Sequence, residues 1–201
     1  MILIFAIIIV ISNAVIDPIT VENCKWAPTQ YKLAHQNEAT TENVEFTYFT
    51  ICKSLNQKLV IDFFNVDSNI DAPLTNCNDP LFQHDVDEIF IGTKTEYLEI
   101  EVSPNGALFY ATIGNPNGSC TNLITTYKQC DEISYFAEFV TPTAWNAHIE
   151  LPISMFTQPL YANFFRVNKM KDRSTHYMSY NPINATPACF HRPDKFVQLI
   201  V

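Results

Sequence analysis

The stretch YLEIEVSPNGALFYATI, Tyr97 to Ile113, sets two runs of apolar-rich sequence on either side of a turn signal. Leu98, Ile100 and Val102 fall on one face of an extended chain, with Tyr97, Glu99 and Glu101 on the other. Side chains along a strand point to opposite faces in turn, so this period of two predicts strand rather than helix. Between the runs, Ser103-Pro104-Asn105-Gly106 is a turn with a mechanism: Pro presets φ, and Gly accepts the left-handed conformation. The two runs therefore form a β-hairpin.

The same period recurs outward from the hairpin. Lys58–Val66 places Leu59, Ile61 and Phe63 on one face and Val60, Asp62 and Phe64 on the other. Ile133–Val140, Trp145–Leu151, Asn163–Asn168 and Phe196–Val201 add further strands, separated by punctuation such as Asn115-Pro116-Asn117-Gly118. Trp145 alternates with Ala147, Ile149 and Leu151, which places it in the core. Only Ile153–Phe156 reads as a turn of helix. Many short strands in one chain of 201 residues predict an all-β, antiparallel β-sandwich of the immunoglobulin or jelly-roll kind.

The uninterrupted apolar run from Met1 to Ile11 is short of the roughly 20 residues that a membrane-crossing helix needs. Its length suits a signal peptide, and Ser12 and Ala14 supply a small-x-small cleavage pattern. Residues 1–14 therefore read as a signal peptide, 15–43 as an N-terminal arm pinned by Cys24, and 44–201 as the sandwich. The mature chain is expected to be secreted, with no membrane insertion after cleavage.

The six cysteines (Cys24, Cys52, Cys77, Cys120, Cys130, Cys189) all lie beyond that cleavage point, which predicts a disulfide-stapled fold in an oxidising compartment. Their pairing is open, except that Cys120 and Cys130 are close enough in sequence to staple one loop. Asn117 and Asn184 begin glycosylation acceptor triplets. With 21 acidic and 12 basic residues the net charge is −9, which repels phosphate backbones and excludes nucleic acid as a partner.

One stretch, DPLFQHDVDEIFIG from Asp79 to Gly92, crowds Asp79, Asp85, Asp87 and Glu88 at a strand entry. Alternation puts Glu88 with Val86 and Phe90, and Asp85 with Asp87 on the opposite face. Side by side, Asp85 and Asp87 do not flank a scissile bond as a glycosidase pair must.

Several blocks line up in order: Asp79–Ile91, Tyr97–Gly106, Trp145–Pro152, Asn163–Asn168, Tyr180-Asn181-Pro182 and Phe190–Phe196. Together, over Val44–Val201, they resemble the carbohydrate-binding module family 9 type of domain within the wider DOMON-like group. The resemblance implies a non-catalytic β-sandwich that binds glucan- or xylan-type glycans between two aromatic rings, and a structural calcium. Phe82, six residues before Glu88, and Tyr180, fourteen beyond Arg166, stand where the family often has Trp. Glu88, Arg166 and Asn168 keep residue types that hydrogen-bond sugar hydroxyls. The implied ligand site is thus Phe82, Glu88, Arg166, Asn168 and Tyr180, with carbohydrate as the partner.

For calcium, Asp67, Asn69 and Asp71 present oxygen ligands at alternate positions, although such a loop also reads as a turn bonding its own backbone. Two other functions stand as alternatives. One is a haem-binding DOMON-type electron-transfer domain, which needs an axial pair drawn from the histidines and Met155, Met170 or Met178. The other is an extracellular structural or adhesion module without a sugar ligand.

Overall fold

A computed structural model describes residues 16–37 and 44–201. The predicted signal peptide lies outside the described residues. The strands are β1 (Ile19–Thr20), β2 (Gln30–Lys32), β3 (Ala34–His35), β4 (Thr47–Lys53), β5 (Lys58–Val66), β6 (Val86–Gly92), β7 (Glu96–Val102), β8 (Leu108–Gly114), β9 (Ile124–Tyr127), β10 (Ser134–Thr141), β11 (Ala144–Pro152), β12 (Leu160–Lys169), β13 (Thr175–Ser179) and β14 (Val197–Ile200). Helical structure among the described residues is confined to short 3-10 turns, one of them at Ile153–Met155.

Two sheets pack face to face. The larger runs β1-β14-β12-β6-β7-β8-β9, with β13 and then β3 attached to β12 beside β14; the smaller runs β10-β11-β5-β4-β2. Every strand pair is antiparallel except β1 with β14. The β7–β8 hairpin forms as expected: Gly106 N–H donates to the Ser103 carbonyl at 2.9 Å, and Gly106 has φ of 83°. Asn105 fastens that turn to the preceding loop, donating to the carbonyls of Ala72 and Leu74 at 2.7 and 2.8 Å.

The inter-sheet core holds Leu59, Ile61 and Phe63 of β5 against Ile89, Ile100 and Phe164 of the large sheet, with Trp145 fully buried. A second core lies on the far side of the large sheet. There Val86, Phe90, Tyr97, Phe109, Ala111 and Phe165 are covered by Ile183, Phe190 and Phe196. The segment between β13 and β14 therefore shields a face that would otherwise meet water, and Phe190 stacks on Phe165 with ring centroids 4.3 Å apart.

Residues 19–35 are built into both sheets as β1, β2 and β3, and the Cys24–Cys52 disulfide ties them to β4. Their strands of two or three residues are too short to show a period. The expected Cys120–Cys130 staple does not form. Cys77 pairs with Cys130 and Cys120 with Cys189, so both bridges close long loops across the fold. Nearness in sequence was a poor guide because Cys130 caps the end of β9 against the loop before β6, whereas Cys120 faces the C-terminal covering segment. Asn117 and Asn184 are both exposed.

Candidate functional site

The second face of the large sheet is only partly filled, and it leaves a cavity of about 610 Å³. Aromatic side chains, among them Phe82, Phe90, Phe109, Tyr177 and Phe190, stand in its walls. The Cys120–Cys189 disulfide forms part of the same wall. Phe82 sits on the 3-10 turn Leu81–Gln83 and is 51% exposed, so its ring is free to meet a ligand.

The floor is acidic. Pairing of β6 with β7 sets Glu88 directly opposite Glu101, and Glu99 projects from the same face of β7 two residues earlier. Oxygens of the three carboxylates lie within 4.8 Å of one another. Phe165 stands beside Glu88 on β12, and Phe109 beside Glu101 on β8, so the opposed acids are bracketed by rings in a row across four strands. All three carboxylates are buried: Glu88 is 2%, Glu99 7% and Glu101 0% exposed.

No Lys or Arg among the described residues lines the cavity to neutralise them. Among the described residues, neither carboxylate oxygen of Glu101 has a hydrogen-bond partner, nor does Glu88 Oε1. The Glu99 carboxyl approaches Glu101 closely enough to favour a proton on Glu101 and charge on Glu99. The backbone N–H of Phe82 also lies near Glu101 and favours its charged form, and neither contact completes a hydrogen bond. Burial pushes Glu99 up to about 7. Burial, then the repulsion of neighbouring acids, pushes Glu88 and Glu101 well above the ordinary carboxylate range. His191 is the closest basic side chain, with Nε2 3.8 Å from Glu99 Oε1. Burial depresses it to about 4, and its Nδ1 is engaged with the Tyr97 hydroxyl at 2.9 Å, so it is neutral at neutral pH.

The opposite face of the same strands carries a different polar cluster. Arg166, fully buried, donates to Thr47 Oγ1 (2.6 Å), the Val66 carbonyl (2.9 Å), Asp67 Oδ2 (3.0 Å) and Asn168 Oδ1 (3.1 Å). Its guanidinium lies 5.9 Å from the Trp145 ring centroid, and Trp145 Nε1 donates to Asp67 at 3.2 Å. Asp87 accepts from Asn65 at 2.6 Å, and Asp85 accepts from the backbone N–H groups of Lys169 and Asp71, both at 2.5 Å. Burial raises Asp85 to about 7 and Asp87 to about 8, against the pull of these donors and of Arg166.

The sequence-predicted site residues divide between these two places. Phe82 and Glu88 belong to the cavity. Arg166 and Asn168 do not: they share the parity of Phe164, which faces the other sheet, whereas Phe165 and Val167 face the covered side. Tyr180 is also turned inward, packing edge-on against Tyr31 and Phe49 at 5.6 and 5.4 Å. Tyr177 supplies the aromatic wall instead. Glu99 and Glu101, not anticipated as site residues, complete the floor; their shared face with Glu88 follows from alternation once the β6–β7 register is known.

Each of the donors expected for calcium is engaged by a partner within the protein. Asp67 is held by Arg166 and Trp145, Asn69 donates its side-chain amide to the Lys169 carbonyl, and Asp71 pairs with His84. A carboxylate already bound to a guanidinium is a poor ligand for a second cation, so this set does not fit the ion. For the haem alternative, His191 lines the cavity but no methionine does.

A scan against protein-family models and a search of curated protein sequences both find no match. Solved structures do resemble the chain. A candidate carbohydrate-binding protein from Bacteroides uniformis aligns with TM-score 0.72 at 14% identity, covering 91% of this chain and 98% of that one. A family 9 carbohydrate-binding module from Caldicellulosiruptor kristjanssonii in complex with cellotriose aligns with TM-score 0.59 at 13% identity, covering 90% and 91%. The same organism's module in complex with glucose gives 0.57 at 12%, covering 90% and 93%. The chain thus has the fold of these modules over nearly its whole described length.

Proposed function

We propose that this chain is a secreted, non-catalytic carbohydrate-binding domain whose ligand site is the aromatic-walled cavity on the covered face of the large sheet. The observation that carries this reading is the coincidence of Phe82, Phe109 and Tyr177 in the walls with Glu88, Glu99 and Glu101 at the floor, within a fold shared with carbohydrate-binding modules. Sugar rings present apolar C–H faces that stack on aromatic rings, and rims of hydroxyls that donate to carboxylate oxygens. A cavity of this volume suits one or two sugar units, which points to the end of a glycan rather than a long chain surface. Glucan- or xylan-type ends are the reference ligands, because family 9 modules of the same fold hold glucose and cellotriose.

Catalysis is disfavoured by the same geometry. All three carboxylates rise from one floor, whereas glycoside hydrolysis needs two that flank the scissile bond. Binding to a glycan array or to polysaccharide affinity gels tests the reading. Phe82→Ala and Tyr177→Ala are expected to abolish binding, and Tyr180→Ala to leave the affinity of the folded fraction unchanged. Retention in the first two variants, or selective loss in the third, would move the site elsewhere.

A further inference from the structure

We infer that the ligand of this cavity is a cationic sugar, bound through a free ammonium group seated among Glu88, Glu99 and Glu101. The inference rests on the carbohydrate reading above and names the ligand class for that site.

Like charges placed directly opposite one another across strands destabilise a sheet. Here Glu88 and Glu101 are so placed, fully buried, with Glu99 alongside and no basic residue among those lining the cavity except neutral His191. A neutral sugar does not explain that floor, since its hydroxyls are served equally well by amides or by one acid balanced by a cation. Glu101 is the sharper evidence: it is wholly buried, lines the cavity, and neither of its oxygens has a geometrically complete hydrogen bond, its near neighbours being the Glu99 carboxyl and the Phe82 N–H. Buried polar atoms are seldom left in that state unless a ligand or water completes them.

An ammonium group has three N–H donors, and the floor offers three carboxylates whose oxygens converge within 4.8 Å. The rings around them complete the match, because aromatic faces attract a desolvated cation. Phe90 and Phe109 are the cross-strand neighbours of Glu99 and Glu101, so each acid has an aromatic beside it on the same face. A bare divalent ion would use the acids but leave the rings and most of about 610 Å³ unexplained. Calcium also takes 6 to 8 oxygens, roughly, which the aromatic walls do not furnish. A hexosamine unit with its amine unacetylated uses every part of the site: the amine on the floor, the ring between Phe82 and Tyr177.

The test is calorimetric titration of the whole secreted chain with glucosamine oligomers, their N-acetylated counterparts, cello-oligosaccharides of equal length, and calcium chloride. The amino-sugar oligomer is expected to bind at least about tenfold more tightly than either neutral series, the weight of one charge-assisted hydrogen bond. Glu101→Gln and Glu88→Gln keep the shape and remove a carboxyl that can ionise against an ammonium group. Each is expected to erase that preference while the variant stays folded, as checked by circular dichroism and melting temperature. Equal affinity for charged and neutral oligomers overturns the cationic-ligand inference but leaves carbohydrate binding standing. Binding of no sugar at all overturns both. Calcium binding that Glu101→Gln abolishes, with no amino-sugar preference, reassigns the floor to a metal and also overturns the inference.

Discussion

Strand β6 and the residue that precedes it send acids to both faces of the sheet, and the two groups meet opposite circumstances. Asp85 and Asp87 enter a cluster where Arg166, Asn65 and two backbone N–H groups stand ready to receive them. Glu88 enters a space where its nearest polar neighbours are two more carboxylates. The burial is equal, the residue types are alike, and the sheet is the same. What differs is whether the fold supplies its own cation. The inner cluster holds its own cation and joins the two sheets through Thr47 and Asp67, though Asp87 Oδ1 and Arg166 Nε are left unpartnered, whereas the outer one has no Lys or Arg among the residues that line it.

The comparison breaks most visibly at Arg166. Arg166→Met removes the guanidinium and strands Asp67 in the interior, an uncompensated buried charge whose cost is about 3 to 5 kcal/mol. Chemical denaturation is the measurement, and adding Asp67→Asn should recover part of the loss, since the two residues couple directly. A single variant as stable as the parent would mean that the inner acids do not depend on their cation. Nothing comparable is expected on the outer face, where removing a charge removes a repulsion.

That asymmetry appears next in the response to pH. A carboxyl whose folded value is raised holds its proton after the unfolded chain has released it, so stability falls as pH rises from near 4.5. Glu99 and Asp85, at about 7, and Asp87, at about 8, act across neutral pH, and Glu88 and Glu101, also raised by burial and neighbouring acids, act in the same direction. His148, raised chiefly by its hydrogen bond to Asp62, works in the same direction. His191 opposes them only below its ordinary 6.5, because its burial favours the neutral ring and that stability is lost toward pH 4. The melting temperature should therefore decline from about pH 6.5 to 8. Glu101→Gln should flatten that decline and raise stability at pH 8, because it removes a carboxyl that burial and neighbouring acids hold above its ordinary range. A profile that rises through the same interval, or is unchanged in the variant, contradicts the picture of an unneutralised floor.

Much of this fold is legible in the residues, and the illegible part has a common cause. The period of two in Tyr97–Val102 and Lys58–Val66 places each side chain on the correct face, and the separation of Glu88 from Asp85 and Asp87 follows from it. Alternation states which residues share a face but not what covers it. Glu99 and Glu101 look like a solvated edge until Ile183, Phe190 and Phe196 are known to lie across them, and that covering segment has no period of its own. The same limit explains Arg166, Asn168 and Tyr180. Their residue types suit a sugar site, but spacing along the chain does not say through which face of β12 they act. Tyr177 and Tyr180 differ by three positions, an odd number, which on extended chain is the difference between cavity and core.

The smallest expected effect on stability is also the one that most sharpens the comparison of the two faces. Phe82 is half exposed on a short turn, so Phe82→Ala is expected to change stability by no more than about 0.5 kcal/mol. Tyr180, wedged edge-on between Tyr31 and Phe49, is the internal control: Tyr180→Ala should cost at least about 2 kcal/mol by opening the inter-sheet core. Paired denaturation curves for the two variants measure this directly. An exposed aromatic that contributes little to folding, set at the mouth of a cavity whose floor lacks a counter-charge, is best explained by what it contacts when a ligand is present. Should Phe82→Ala instead prove as damaging as Tyr180→Ala, its ring would be part of the roof that closes the second core, and the cavity would lose the wall on which a sugar ring is expected to stack.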